Sequence, residues 1–143
     1  MRLKLIFLSV LSYFIGADCY AGNVNLYNVE DLSFQDNNGV EFVVDIENAP
    51  FSGAVIRPDE NGKELTYFYK NGQKNGVAYS RFANGKIELE ITYANGKKNG
   101  NEILFREDGT EVYRKTYKDD VLNGKEISFY DNGKPKKKID YKN

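Results

Sequence analysis

The feature that most restricts this chain is one short pattern written four times between residues 51 and 143. Gly53, Gly76, Gly100 and Gly124 stand 23, 24 and 24 residues apart, and a second glycine follows each by nine positions: Gly62, Gly85, Gly109 and Gly133. A tyrosine closes each unit (Tyr69, Tyr93, Tyr117, Tyr141), at a constant spacing of 24. The first unit is one residue short between its second glycine and its tyrosine. Three landmarks in phase over four copies imply a repeat architecture, in which each unit leans on its neighbours for a core.

The chemistry inside a unit sets its shape. The second glycine always follows Asn or Asp: Asn61, Asn84, Asp108 and Asn132. Those pairs suit a two-residue type I′ hairpin turn, which needs positive φ at both central positions. Gly62, Gly85, Gly109 and Gly133 are therefore read as structural turn residues. The flanking runs are rich in Tyr, Phe, Ile and Val, as strands are. Each unit reads as strand, turn, strand. The links carry Asn71-Gly72 with Asn75-Gly76 and Asn95-Gly96 with Asn99-Gly100. In the third link Asp119-Asp120 replaces the first pair. The links are expected to be looser than the turns within units. The fold class that follows is all-β, an elongated, twisted antiparallel meander of repeated hairpins.

Alternation assigns the faces. In the second unit Ile87, Leu89, Ile91 and Tyr93 share one face, and Lys86, Glu88, Glu90 and Thr92 the other. The first face continues through Leu65, Tyr67 and Tyr69, then Tyr113 and Tyr117 with Lys115 between them, then Ile139 and Tyr141. Equivalent residues of successive units lie two strands apart, about 9–10 Å, too far for the closing tyrosines to touch. Ile56, Tyr79, Ile103, Phe105, Ile127 and Phe129 on the intervening strands are expected to fill that seam. The last strand is crowded with Lys134, Lys136, Lys137, Lys138 and Lys142, and Pro135 removes a backbone donor. Both features discourage a further strand from pairing there.

The glycine phase, the link "YANGKKNG" and the entry "NAPFSG" over residues 48–53 resemble the YwqK-type variant of the MORN repeat. In that bacterial family the array is entered through a Pro-Phe-Thr/Ser-Gly step, matched here by Pro50, Phe51, Ser52 and Gly53. The similarity covers residues 40–143. Many members of the family are labelled antitoxins, so the resemblance implies a binding partner and no catalysis.

Ahead of the array, residues 1–21 read as an export signal. Arg2 and Lys4 precede a largely apolar run over residues 5–15, and the small residues Gly16, Ala17 and Ala21 suit cleavage after Ala17 or Ala21. That run is shorter than the roughly 20 residues a membrane-spanning helix needs. A periplasmic or secreted location is expected. Cys19 is the only cysteine, so no internal disulfide is possible. Residues 22–50 form a lead-in. Residues 24–27 suit a short strand, residues 30–38 an irregular segment, and residues 40–46 a clear strand, with Val40, Phe42, Val44 and Ile46 alternating with Glu41, Val43 and Asp45. Because a bare terminal strand exposes unpaired backbone groups, this segment is expected to cap the array.

The function classes narrow accordingly. Histidine is absent, which excludes Ser-His-Asp and Cys-His machinery and metal sites of the Cys/His kind. The carboxylate pairs Glu88 with Glu90, Glu102 with Glu107, and Asp119 with Asp120 read as the wet face of a sheet. No catalytic residue, metal or small-molecule cofactor is assigned. A net charge of −1 gives no reason to expect nucleic acid. The expected partner is another protein, contacted through Phe68, Arg81, Phe82, Arg106, Arg114 and Tyr130, since Tyr and Arg are enriched at the centres of contacts. Two alternatives are neutralisation of a toxin met outside the cytoplasm, and attachment to anionic lipid or envelope glycan through Lys134, Lys136, Lys137 and Lys138.

Overall fold

The computed structural model describes residues 31–45, 47–59 and 61–142. The export signal, the strand expected over residues 24–27, Cys19 and Ile46 lie outside the described residues. Eleven strands follow in chain order: β1 Ser33–Asn37, β2 Val40–Val44, β3 Gly53–Pro58, β4 Glu64–Lys70, β5 Gln73–Lys74, β6 Gly76–Arg81, β7 Ile87–Ala94, β8 Lys97–Phe105, β9 Glu111–Lys118, β10 Val121–Phe129 and β11 Pro135–Tyr141. There is no α-helix among the described residues. β1 and β2 make a separate two-stranded sheet. All the others join one nine-stranded antiparallel sheet in the order β11-β10-β9-β8-β7-β6-β4-β3, with β5 on the side of β4. Neighbours in sequence are neighbours in space, so the meander expected from the repeats is the fold.

The two kinds of turn are exchanged relative to expectation. In the units, Gly62, Gly85, Gly109 and Gly133 have positive φ but the residue before each does not. Gly62 N–H donates to Asp59 O, and Asp59 N–H to Lys63 O, and the other units repeat this pair of bonds. These are three-residue loops built from a type I turn followed by a left-handed glycine. An Asx side chain braces each one; Asn84, Asp108 and Asn132 accept from the N–H two residues on. The links hold the tight turns. Asn71-Gly72, Asn95-Gly96 and Asp119-Asp120 have positive φ at both residues, and pairing resumes directly on either side, as in Ala94 with Lys97. They are the type I′ turns, and they are bound sideways as well. Gly72 N–H reaches Phe51 O, Gly96 N–H reaches Lys74 O, and Asp120 N–H reaches Lys98 O.

Just past each link turn the register slips, between Ile91 and Tyr93 against β8 and between Leu122 and Glu126 against β9. Gly100 and Gly124 occupy these bulges, where a Cβ would press on Thr92 or Thr116. A second bulge lies in the hairpins of units two to four, between Ser80 and Arg81, Leu104 and Phe105, and Ser128 and Phe129. The first hairpin pairs without interruption, which accounts for its missing residue.

The core sits on the tyrosine face of the first two units. Val43, Phe51, Val55, Leu65, Tyr67, Tyr69, Ala78 and Ile91 form one buried cluster, with Leu32, Leu89 and Tyr93 packed against it. The partners across the seam differ from those expected. Ile56 pairs with Thr66, Tyr79 with Glu90, and Ile103 with Glu90 and Arg114. Ile127 likewise lies opposite Arg114. Directly opposed residues share a face, so these apolar side chains belong to the side away from the tyrosines. Val55, Ala78, Ser80 and Glu102 are the buried fillers. The hairpin bulge also pairs Ile87 with Arg81 and takes it off the tyrosine row.

The lead-in caps a face instead of an edge. β1 occupies part of the segment expected to be irregular, and the β1–β2 hairpin lies over the tyrosine side of units one and two. Val43 N–H donates to Gly72 O at 2.7 Å, and Phe51 N–H donates to Val43 O. Phe42 and Val40 sit against the link glycines Gly72 and Gly96. β2 does not keep a single apolar face, because Val43 and Val44 are both buried and Glu41 points among the tyrosines.

Candidate binding surfaces

The tyrosine face is a ladder of hydroxyl–carboxylate pairs. Tyr69 donates to Glu41 at 2.5 Å, Tyr113 to Glu102 at 3.0 Å and Tyr141 to Glu126 at 2.8 Å. Glu102 and Glu126 come from one repeat position whose first two copies are Val55 and Ala78. There the strand supplies no carboxylate, and Glu41 of the hairpin brings one. Glu41 also meets Arg57 at 2.5 Å and Lys74 at 3.4 Å. Burial works against its charged form, but the Tyr69 hydrogen bond and the charges of Lys74 and Arg57 outweigh it and hold its pKa below the ordinary value. Burial pushes the Tyr69 and Tyr93 hydroxyls well up and the Lys74 ammonium down. Lys74 lies over the rings of Tyr67 and Tyr93, 4.7 and 5.4 Å from their centroids, beside a concavity of about 540 Å³ lined with Arg57, Asp59, Tyr93 and Lys98. Its cations are already paired, Lys98 with Glu102. Glu102 is only 7% exposed, so it does not belong to the wet face expected for the carboxylate pairs.

The opposite face holds two distinct areas. Over units three and four a trough of about 630 Å³ runs between Asn101, Thr116, Arg114, Lys125, Ile127 and Phe129. Arg114 is tied to Glu111 by two guanidinium bonds, and Asn101 and Thr116 bond each other. Over units one and two the surface is apolar. Ile56, Phe68 and Val77 are 49%, 39% and 42% exposed. Phe68 stands opposite Ala54, and its ring lies 6.1 Å from that of Tyr79. The Arg81 guanidinium covers Tyr79 at 4.8 Å and donates to Gly85 O.

The residues singled out from sequence are thus dispersed. Phe68 and Arg81 meet in the apolar patch, and Arg114 lines the trough. Arg106 is held between the third and fourth turns by Thr110, the carbonyls of Glu111 and Phe129, and Asp131. Phe82 opens the second turn and is half-buried. Tyr130 opens the fourth turn, 51% exposed, with Lys136 above its ring. The lysines of β11 do not make a single patch. Lys137 pairs with Ser128 and Lys138 with Ile127, so the two point to opposite faces. Ile56, Val77 and Tyr79 were not anticipated as surface. The signal was available in the first link, since counting from Asn71-Gly72 sets Thr66 and Phe68 on the side away from Tyr67 and Tyr69.

A family model described as the MORN repeat variant matches residues 74–95 and 122–143. The first match runs from the end of β5 through β6 and β7, the second hairpin, and the second covers the fourth hairpin. No curated protein matches the chain, and no solved structure does.

Proposed function

We propose that this chain is a non-enzymatic binding protein whose repeat sheet presents a docking surface to another protein. The observation that carries the reading is the cluster of Ile56, Phe68 and Val77, three large apolar side chains left open on one side of adjacent strands. A contiguous apolar area of this kind, bordered by Arg81 and Tyr79, is characteristic of protein contact sites. The matches to the MORN repeat variant support a scaffold role. The composition of residues 1–21 supports export, which would place the partner in the periplasm or outside the cell.

The test is a photo-crosslinking residue placed beside the patch, at position 70, in otherwise unaltered chain and in Phe68→Glu. A discrete partner captured by the first and lost from the second, with Glu88→Gln as an unaffected control, supports the reading. Capture that ignores Phe68→Glu overturns this surface as the contact. A salt-dependent interaction with anionic vesicles that is removed by neutralising Lys136 and Lys138 would instead favour envelope attachment.

A further inference from the structure

The two edges of the large sheet are unlike. β11 ends the array with Pro135 and with exposed lysines directed to both faces, a strand protected against further pairing. β3 at the other end reads Gly-Ala-Val-Ile-Arg-Pro; its proline, Pro58, removes an outward donor only at the last position of the strand and leaves the groups of Ala54 and Ile56 in place, and its one charged residue, Arg57, is engaged by Glu41. Among the described residues no strand pairs with its outer side. The bond from Asp59 N–H to Lys63 O fixes which peptide groups are turned outward. In an antiparallel pair alternate residues direct both groups at the partner, so Val55 and Arg57 face β4, and Ala54 and Ile56 present theirs to the outside.

We propose that β3 is the seam of a two-fold dimer, in which it pairs antiparallel with β3 of a second copy and joins two nine-stranded sheets edge to edge. The strand is self-complementary. A two-fold axis at Val55 sets Ala54 opposite Ile56 of the second copy, and each such pair exchanges both N–H···O bonds. A small side chain then lies beside a branched one, on the face that carries the apolar patch. On the tyrosine face Arg57 falls opposite glycine, so no like charges oppose each other across the seam. A head-to-tail contact would have to use β11, where Pro135 and the lysines stand in the way, and the isologous arrangement remains. The net charge of −1 adds little repulsion between copies. The two apolar patches merge across the seam into one.

This dimer does not depend on the partner reading above, because it draws on the backbone of β3 and not on Phe68. Sedimentation equilibrium of the purified chain, from low micromolar to near-millimolar concentration, tests it. The expected mass approaches twice that of one chain at the high end and falls toward that of one chain on dilution. Ile56→Pro removes an outward N–H without touching the bonds to β4, and Ile56→Lys keeps that N–H but adds charge at the seam. Each should weaken the dimer at least tenfold with circular dichroism unchanged, while Phe68→Lys should leave it intact. Hydrogen exchange at Ile56 should slow as concentration rises. A monomer at every concentration overturns the proposal, whether the Ile56 amide exchanges freely or is protected by the chain itself. So does a dimer indifferent to both Ile56 substitutions.

Discussion

Replacing Gly96 by Ala tests whether the β1–β2 hairpin truly rests on the link turns, and Gly62→Ala supplies the reference. Both glycines have φ near the left-handed value, 82° and 81°. A Cβ at Gly62 meets nothing within 4 Å, so that substitution registers only the cost of an L residue in this conformation, about 1–2 kcal/mol. At Gly96 the same Cβ would collide with Val40 Cγ1. Valine has little rotamer freedom with which to retreat, so β2 itself must lift. Lifting it exposes Val43 and Val44, now 0% and 4% exposed, and each buried valine contributes roughly 1.5–3 kcal/mol. Part of that is offset by the entropy the freed hairpin regains. Gly96→Ala should therefore cost about 1–3 kcal/mol more than Gly62→Ala. Urea denaturation gives both values, and hydrogen exchange at the Val43 amide, bonded to Gly72 O, reports the hairpin directly. Equal losses in the two variants, with Val43 still protected in Gly96→Ala, would refute the docking.

Leu65→Ala should cost about 3–5 kcal/mol in urea, because Leu65 is 1% exposed at the centre of the cluster and truncation leaves a cavity; a loss below roughly 1 kcal/mol would remove it from the core. The Glu41 carboxylate has a depressed pKa in the folded chain, so the unfolded chain binds its proton more readily. Its contribution is fully present above the ordinary carboxylate value of 4.5 and is lost as pH falls through the lower folded value. The protection factor of the Val43 amide, corrected for intrinsic exchange at each pH, should fall over that acid range in the native protein, and this acid dependence should diminish in Glu41→Gln.

The periodicity of glycine and tyrosine made the strand order legible, since each small hairpin has only its neighbours to pack against. The turn types were not legible, because Asn-Gly serves both a type I′ turn and a type I turn with a left-handed third residue. Only pairing on either side separates Asn95-Gly96 from Asn84-Gly85. The filler of the seam was misplaced because it was chosen by apolarity. Tyr79 and Ile103 face the wrong way, and the true fillers include Ala78 and Glu102, which a hydrophobic pattern passes over. Glu41 takes up Tyr69 and Lys74 where Val55 and Ala78 supply no carboxylate, a long-range condition that no local pattern records. Of the residues singled out by type, Phe68 and Arg81 lie in the apolar patch, whereas the exposure of Ile56 beside them was hidden by the same error of phase.

The strict sequential strand order has a mechanical consequence. Every strand runs crosswise to the line joining β3 and β11, so tension applied near the two ends of the array loads each hairpin in the direction that opens its bonds singly. The array should yield under low force in successive steps, beginning with the outermost hairpin at the lysine end, where among the described residues no hairpin covers the tyrosines. An optical-trap record showing one abrupt rupture of the whole sheet would contradict this. Opening would begin at the lysine end while the end under the β1–β2 hairpin stays folded.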